Sequence, residues 1–371
     1  MAPENSVPFV DLRYQTLQVQ GEIEASWRSI VHDSKFVFGP QVDLFEERLA
    51  SYYGVTSCIS VANGTDALEI ALRALGIGVG DEVIVPALTF VATAAAVLRA
   101  GATPVFADIN PATYLLDPES TSFHLTSRTA AIIPVHLYGQ MADMEAIAAI
   151  ASRHGLALIE DGAQSHGATQ RGSKSGLTTD AITTSFYPGK NLGAWGDGGA
   201  ILTNSYEVSH AVRAIRNFGG IEKHDHNSFG INSRLDTVQA AVLLAKLAHL
   251  DTWNESRLQA AHRYAQLLSD TDIILPRTSA DNNHVWHLFV VRTSDRVSMG
   301  EFLSRHGIET GIHYPQPLHR LGMFVGADAC SGDLIHADLA CSTMLSLPLF
   351  PGITDSQLHY VCEVIAKYAS Q

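Results

Sequence analysis

The sequence predicts an α/β fold in which a mostly parallel central sheet is covered by helices and a smaller α+β domain follows. Three observations predict it. Up to about residue 250, short continuous apolar runs alternate with segments of helical period, the pattern of strands buried on both faces by intervening helices. Glycine and short polar residues punctuate the ends of those runs, most densely in SFYPGKNLGAWGDGG at 185–199. After Pro276 the strict alternation stops and isolated strand and helix patterns remain.

Taken in order, QVDLFEERLASYY at 41–53 has apolar residues at helical spacing and Gly54 as its stop. CISVAN then reads as a strand with its turn, and GTDALEIALRALG as the helix that follows. EVIVPALTF with VATAAAVLRAG repeats the pattern, and TPVFADI and TAAIIPVHLYG continue it. MADMEAIAAIASRHG is a helix, LALIEDGAQ a strand with its loop, and AITT a strand leading into the glycine-rich segment. From Ser233 to about Leu268 the chain is helical, in SRLDTVQAAVLLAKLAHL and NESRLQAAHRYAQLL. HVWHLFVVR is strand-like, SMGEFLSRHG is a helix closed by Gly307, and DSQLHYVCEVIAKYA is the last helix. These elements divide into a large domain over 1–250 and a small domain over 251–371.

The chain has 371 residues, 46% hydrophobic and 17% charged, which suits a globular enzyme with a sizeable core. A formal net charge of -14 argues against nucleic-acid or membrane-surface partners, which require a basic face. It leaves room for a small anionic ligand held by local basic groups and helix N-termini. The four cysteines form no CxxC pair, so neither a zinc site nor a disulfide framework is expected. Reduced thiols and a start without a secretory pattern point to a cytoplasmic protein. No apolar run is long enough to span a bilayer.

In open parallel sheets, ligands sit beyond the carboxyl ends of the strands. Four polar features fall there: Asn63-Gly64-Thr65, Phe90, Asp161 with Gln164, and the stretch from Ser185 to Lys190. Each alone is an ordinary cap, turn or loop. Together they match what pyridoxal 5'-phosphate requires. Its aldehyde needs an amine, and Lys190 is the candidate. Its ring nitrogen needs a carboxylate to stay protonated, and Asp161 is the candidate. Its phosphate needs helix N-terminal N–H groups and hydroxyls, which Gly64, Thr65 and Ser185 offer. Phe90 offers a flat partner for the ring face, and Gln164 can reach the ring hydroxyl. GIGVG at 76–80 follows a helix and precedes a strand, the wrong order for a dinucleotide loop. His224 and His226 lack a third ligand at useful spacing, so no metal is expected. Ser165-His166 has no nucleophile-elbow context.

The motifs NGTDALEIAL, EDGAQSHGA, SFYPGKNLGAWGDGGAILTN, FGINSRLDTVQAA and GIHYPQPLH resemble those of the DegT-type nucleotide-sugar aminotransferases, which are fold-type I enzymes dependent on pyridoxal 5'-phosphate. The resemblance runs from about residue 10 to about residue 350. It implies that Lys190 carries the cofactor and moves protons, that Asp161 and Gln164 hold the ring, and that Gly64, Thr65 and Ser185 hold the phosphate. It implies that Asn232 reaches the phosphate of a neighbouring subunit, hence a homodimer with shared active sites. Lys223, His224 and His226 resemble the segment that approaches the sugar nucleotide, with Arg234 expected near the same mouth. His313, Tyr314 and His319 resemble a loop that closes over substrate. The implied reaction moves an amino group from glutamate to a nucleotide-linked keto sugar. GIHYPQPLH leans towards a dTDP-3-keto-6-deoxyhexose, while 4-keto and UDP-linked sugars stay open. Relatives that remove a sugar hydroxyl carry histidine where this chain has Lys190, which favours transamination over dehydration. A non-catalytic pyridoxal-phosphate-binding regulator is the third alternative.

Overall fold

The computed structural model of the chain describes residues 6–174, 179–222, 224, 226–324 and 333–369. Its centre is a sheet of seven strands: β1 Ser57–Val61, β2 Glu82–Pro86, β3 Thr103–Ala107, β4 Thr129–Ile132, β5 Ala157–Asp161, β8 Ala181–Ser185 and β9 Gly199–Thr203. Between β5 and β8 lie two short strands, β6 Thr169–Gln170 and β7 Ser173–Lys174. With β10 Asn282–Asn283 they form a separate small sheet in the order β10-β6-β7.

The large sheet runs in the order β1-β9-β8-β5-β4-β2-β3. Strands β3, β2, β4, β5 and β8 are parallel, and β9 runs antiparallel to both β8 and β1. All five residues of β2 are buried, as expected of a strand covered on both faces. The antiparallel strand follows from connection length. The glycine-rich loop after β8 contains no helix to carry the chain back across the sheet, so GAILT returns directly beside β8.

The helices form where the apolar spacing places them, with local departures that have identifiable causes. The helix expected from Ser233 begins at Thr237. Ser233 is drawn out of it, donating its hydroxyl to Asp66 and accepting from the Ala62 N–H. Thr237 is fixed at the helix start, its N–H on the Phe36 carbonyl and its Oγ1 accepting from Gly39. HVWHLFVVR becomes a strand only at β11 Phe289–Arg292. Trp286 sits at φ 48°, which breaks the extended path before it. The helix Arg13–Asp33, too polar to stand out in the sequence, buries Val19 and Ile23 against Val242, Ala245 and Trp253.

A second core gathers Tyr264, Phe289, Met299, Leu303, Leu347, Val361 and Ile365 around the antiparallel pair of β11 and β12 Met344–Leu347. Val7, at the other end of the chain, belongs to this core and bridges to Ile308. Cys58, Cys341 and Cys362 are free and buried, and Cys330 lies outside the described residues. Among the described residues, no helix is long and apolar enough to cross a membrane.

Two buried histidines make stability depend on pH. Burial drives the pKa of His166 and of His284 down to about 3. The unfolded chain therefore takes up these protons first, near pH 6.5, and the folded form does not follow until about pH 3. Stability is complete above the unfolded value and is lost as pH falls through that window, by about 1.4 kcal/mol per histidine per pH unit. Between pH 7 and pH 5 these two histidines alone should lower the unfolding free energy by about 4 kcal/mol, read from denaturant midpoints. A flat profile would remove this role.

Candidate active site

The carboxyl ends of β1, β5 and β8 open onto one cavity of about 820 Å³. After β1, Asn63 caps the helix Gly64–Ala74, its side-chain oxygen accepting from the Asp66 N–H at 2.8 Å. The first-turn N–H groups of Gly64 and Thr65 have no partner within their own helix, and both residues line the cavity. Gly64 packs directly on Ser185, and a Cβ at position 64 would lie 2.6 Å from the Ser185 Cβ. Only glycine lets the helix start meet the end of β8 so closely. Gly64→Ala should therefore cost about 1–3 kcal/mol of packing at this contact. It should weaken cofactor retention roughly tenfold or more, measured by titrating the cofactor into stripped protein. Unchanged retention would separate this cradle from the phosphate.

Asp161 ends β5 and is 5% exposed. Its Oδ2 accepts from Thr93 Oγ1 at 2.8 Å and its Oδ1 from the Ala163 N–H at 3.2 Å. Thr93 is in turn within 3.1 Å of Thr89. Burial raises the Asp161 pKa, against these two bonds and the nearby Lys190. A carboxylate so placed is stabilised by any cation brought against it.

Lys190 follows β8 in a turn closed by its own N–H on the Tyr187 carbonyl at 2.8 Å. Its loop is gripped on both sides. Asn191 donates to Asn254 and to the Val285 carbonyl. Buried Lys246 donates to the Gly193 carbonyl at 2.7 Å, and Gln239 bonds both the N–H and the carbonyl of Trp195. A Cβ at Gly193 would lie 2.3 Å from the Pro188 oxygen, so the turn closes only with glycine there. The loop is thus a rigid mount for one amine. Burial lowers the Lys190 pKa to about 8, with Asp161 opposing the fall.

Across the cavity, Gln164 accepts from the Tyr138 N–H at 2.7 Å and donates to the Tyr314 hydroxyl at 3.2 Å. The Tyr314 ring lies 5.7 Å from that of Phe90. His313 stacks on Phe9 at 5.6 Å and meets Ser346 Oγ at 2.9 Å, while Tyr138 donates to the His313 carbonyl. Burial, with Lys190 adding to it, lowers the His313 pKa to about 4, so its imidazole is neutral near pH 7.

Nine expected residues therefore line one cavity: Gly64, Thr65, Phe90, Asp161, Gln164, Ser185, Lys190, His313 and Tyr314. Among the described residues, two others do not. His319 sits away from the cavity, 3.5 Å from Asp338, because the turn at Leu318–Arg320 is pinned by the Leu318 N–H on the Ala87 carbonyl. Asn232 is exposed, bridged to Asn217, and is not among the lining residues. Lys223 lies outside the described residues. His226 bonds the Phe218 carbonyl of its own loop, and Arg234 lies 5.7 Å over the Phe38 ring. Among the described residues no cluster suited to a metal occurs. Sequence reasoning missed Thr93, Arg257, His287 and the N-terminal Phe9. Thr93 had a signal, since it lies three residues past Phe90, in the first turn of the helix Ala92–Arg99 that follows it. The others reach the cavity from distant parts of the chain.

The residues fit pyridoxal 5'-phosphate: an amine of lowered pKa, a buried carboxylate that gains from a cation, and a glycine-lined helix start beside a serine. The sequence profile described as the DegT/DnrJ/EryC1/StrS aminotransferase family matches residues 18–366. The chain is 45% identical over 366 residues to a "pleiotropic regulatory protein" of Geobacillus stearothermophilus, covering 98% of each chain. It is 42% identical over 366 residues to the dTDP-3-amino-3,4,6-trideoxy-alpha-D-glucose transaminase of Streptomyces venezuelae, covering 98% of this chain and 97% of the other. To the UDP-2-acetamido-2-deoxy-3-oxo-D-glucuronate aminotransferase of Pseudomonas aeruginosa it is 41% identical over 361 residues, covering 97% and 100%. The crystal structure of S. venezuelae DesV superposes with a TM-score of 0.96 at 41% identity, covering 99% of both chains.

Proposed function

We propose, from the premise that the chain belongs to the DegT/DnrJ/EryC1/StrS aminotransferase family, that it transfers an amino group from glutamate to a keto sugar carried on a nucleoside diphosphate. The chain is a pyridoxal 5'-phosphate-dependent aminotransferase of the fold-type I architecture. Its acceptor, in this reading, is a dTDP-3-keto-6-deoxyhexose, with 4-keto and UDP-linked sugars as the alternatives. The observation that carries the reading is the placement of Lys190 and Asp161 on one cavity wall, in a chain similar to enzymes named for dTDP and UDP amino sugars.

When bound, the cofactor supplies an aldehyde that takes up the amino group and a ring that withdraws electrons from the carbon losing its proton. Asp161 would hold the ring nitrogen and keep it protonated. Gly64, Thr65 and Ser185 would hold the phosphate, Phe90 would cover a ring face, and Gln164 would offer its second amide hydrogen to the ring hydroxyl. Lys190 takes the proton from the donor carbon and returns it. With a pKa near 8, roughly a tenth of this amine is neutral at pH 7, against less than about one in a thousand for an ordinary lysine. Fixed in its loop, it acts within one encounter complex.

In this reading His313 and Tyr314, which line the cavity, touch the sugar. Asn232, exposed and outside its own cavity, suits a role at the phosphate of a second subunit in a homodimer. Lys223 keeps the role its motif implies, at the sugar nucleotide. The relative named as a regulator leaves open a sensing role for that protein. In this chain, Lys190 in its rigid mount favours turnover.

The test is a panel of dTDP- and UDP-linked 3-keto and 4-keto sugars with glutamate, read by release of 2-oxoglutarate. Turnover with the dTDP-linked 3-keto sugar above the others is expected. Release with a 4-keto or UDP-linked sugar alone would move the assignment to that sugar, and silence across the panel would overturn the sugar-nucleotide reading.

A further inference from the structure

Arg257 is a buried cation whose counter-charge is missing from the protein. It lies on the helix Leu250–Leu267, is 2% exposed, and reaches the wall of the cavity that holds Lys190. Its Nη1 donates to three main-chain carbonyls: Leu349 at 3.0 Å, Trp286 at 3.3 Å and His287 at 3.4 Å. These bonds anchor the guanidinium and fix its plane. Nε is buried without a partner, and Nη2 meets no acceptor among the described residues. The unused edge is thus the Nε–Nη2 side, two parallel donors at the spacing of a carboxylate's oxygens.

No carboxylate of the described residues pairs with Arg257. Of the two acids on the cavity wall, Asp161 is engaged by Thr93 and Ala163, and Asp197 is exposed and unpaired with it. The neighbouring bases offer no compensation. His287 is held well below its usual pKa by burial first and then by Lys190 and Arg257, so it stays neutral. Even lowered by burial to about 10, the guanidinium stays charged at neutral pH. A buried unpaired charge is costly unless a ligand completes it.

We propose that Arg257 anchors the α-carboxylate of the amino-acid donor, by its free Nε–Nη2 edge. The inference rests on the aminotransferase reading above and adds the donor subsite to it. The donor is the anion that must enter deepest, because its carboxylate is attached to the carbon that Lys190 deprotonates. The cofactor phosphate has its own cradle at Gly64, Thr65 and Ser185. The nucleotide diphosphate, carried at the far end of a bulky substrate, is the other anion the experiment must separate.

The experiment compares Arg257→Gln and Arg257→Lys holoenzyme with wild type in single turnovers, following loss of the yellow colour on adding amino donor. L-Glutamate and 4-aminobutyrate, which is glutamate without its α-carboxylate, are run side by side. Arg257→Gln should raise the apparent dissociation constant of L-glutamate roughly ten- to a hundredfold and leave that of 4-aminobutyrate unchanged, with Arg257→Lys between. Equal loss with both donors would overturn the proposal. So would loss confined to cofactor retention, or to the KM for the sugar nucleotide, either of which would assign the guanidinium to phosphate. A second readout uses wild type alone. The Arg257 Nε–H proton resonance should move as maleate, an unreactive dicarboxylate, saturates the holoenzyme. A resonance that stays in place overturns the proposal whether or not the variants fold. If glutamate fails to discharge wild type while maleate still moves the resonance, the choice of glutamate fails and the carboxylate anchor stands.

Discussion

Lys190→Ala should reduce turnover by about a hundred- to ten-thousandfold, the span that one positioned proton carrier contributes. The loss should appear in the first half of the reaction: glutamate no longer yields 2-oxoglutarate, even in a single turnover. Lys190→Arg should fare no better, because a guanidinium does not give up its proton near neutral pH. The fold should survive both changes. The amine is held in a position that burial disfavours, its pKa lowered to about 8, and truncation removes that cost. The loop keeps its other attachments through Asn191, Gly193 and Trp195. Thermal unfolding and oxo-acid release on the same preparations check both halves. Substantial turnover in folded Lys190→Ala would put the proton transfer elsewhere.

Asp161→Asn should have the second largest effect. The amide keeps the shape and can still accept from Thr93, but its charge is gone. The lost charge-assisted bond to a protonated ring nitrogen corresponds to about 1.5–3 kcal/mol, or roughly ten- to a hundredfold in kcat/KM. A second signature distinguishes this from a packing defect. Asp161 holds the Lys190 pKa up, so without its charge the pKa of that amine should fall below about 8. The pH profile of the stripped protein's reaction with added cofactor should shift to lower pH by the same displacement. Thr93→Val, which removes one bond and leaves the carboxylate, should produce a smaller loss and little shift. An Asp161→Asn enzyme with full activity and an unmoved profile would mean the carboxylate is structural.

Much of this site was legible because its residues are local to strand ends. β1 with the helix Gly64–Ala74, and β5 with Asp161, pair a continuous apolar run with a polar terminus. That pairing is visible in one dimension, since burial on both faces and the strand-end position both follow from order along the chain. β9 was hidden because GAILT follows so many glycines that it reads as the tail of a loop. Its strand character comes from pairing with β8 and β1. Arg257 was invisible for another reason. It stands in an ordinary polar helical stretch, and only the tertiary approach of Trp286, His287 and Leu349 makes it a buried cation on the cavity. His319 lies off the cavity for a similar cause. Its neighbour Leu318 is tied to Ala87, which turns the imidazole towards Asp338 and away from the cavity that His313 and Tyr314 line.

In the proposed function one amine, on one rigid loop, carries the cofactor. Lys246 is the informative competitor, since burial lowers its pKa to about 8 as well, yet its Nζ is spent on the Gly193 carbonyl and it does not line the cavity. Borohydride reduction of the holoenzyme, followed by digestion and mass spectrometry, locates the covalent link to the cofactor. The label should fall on Lys190, in the peptide containing SFYPGKNLGAWGDGG. A label on Lys246 or any other lysine, or none after incubation with excess pyridoxal 5'-phosphate, would contradict the account.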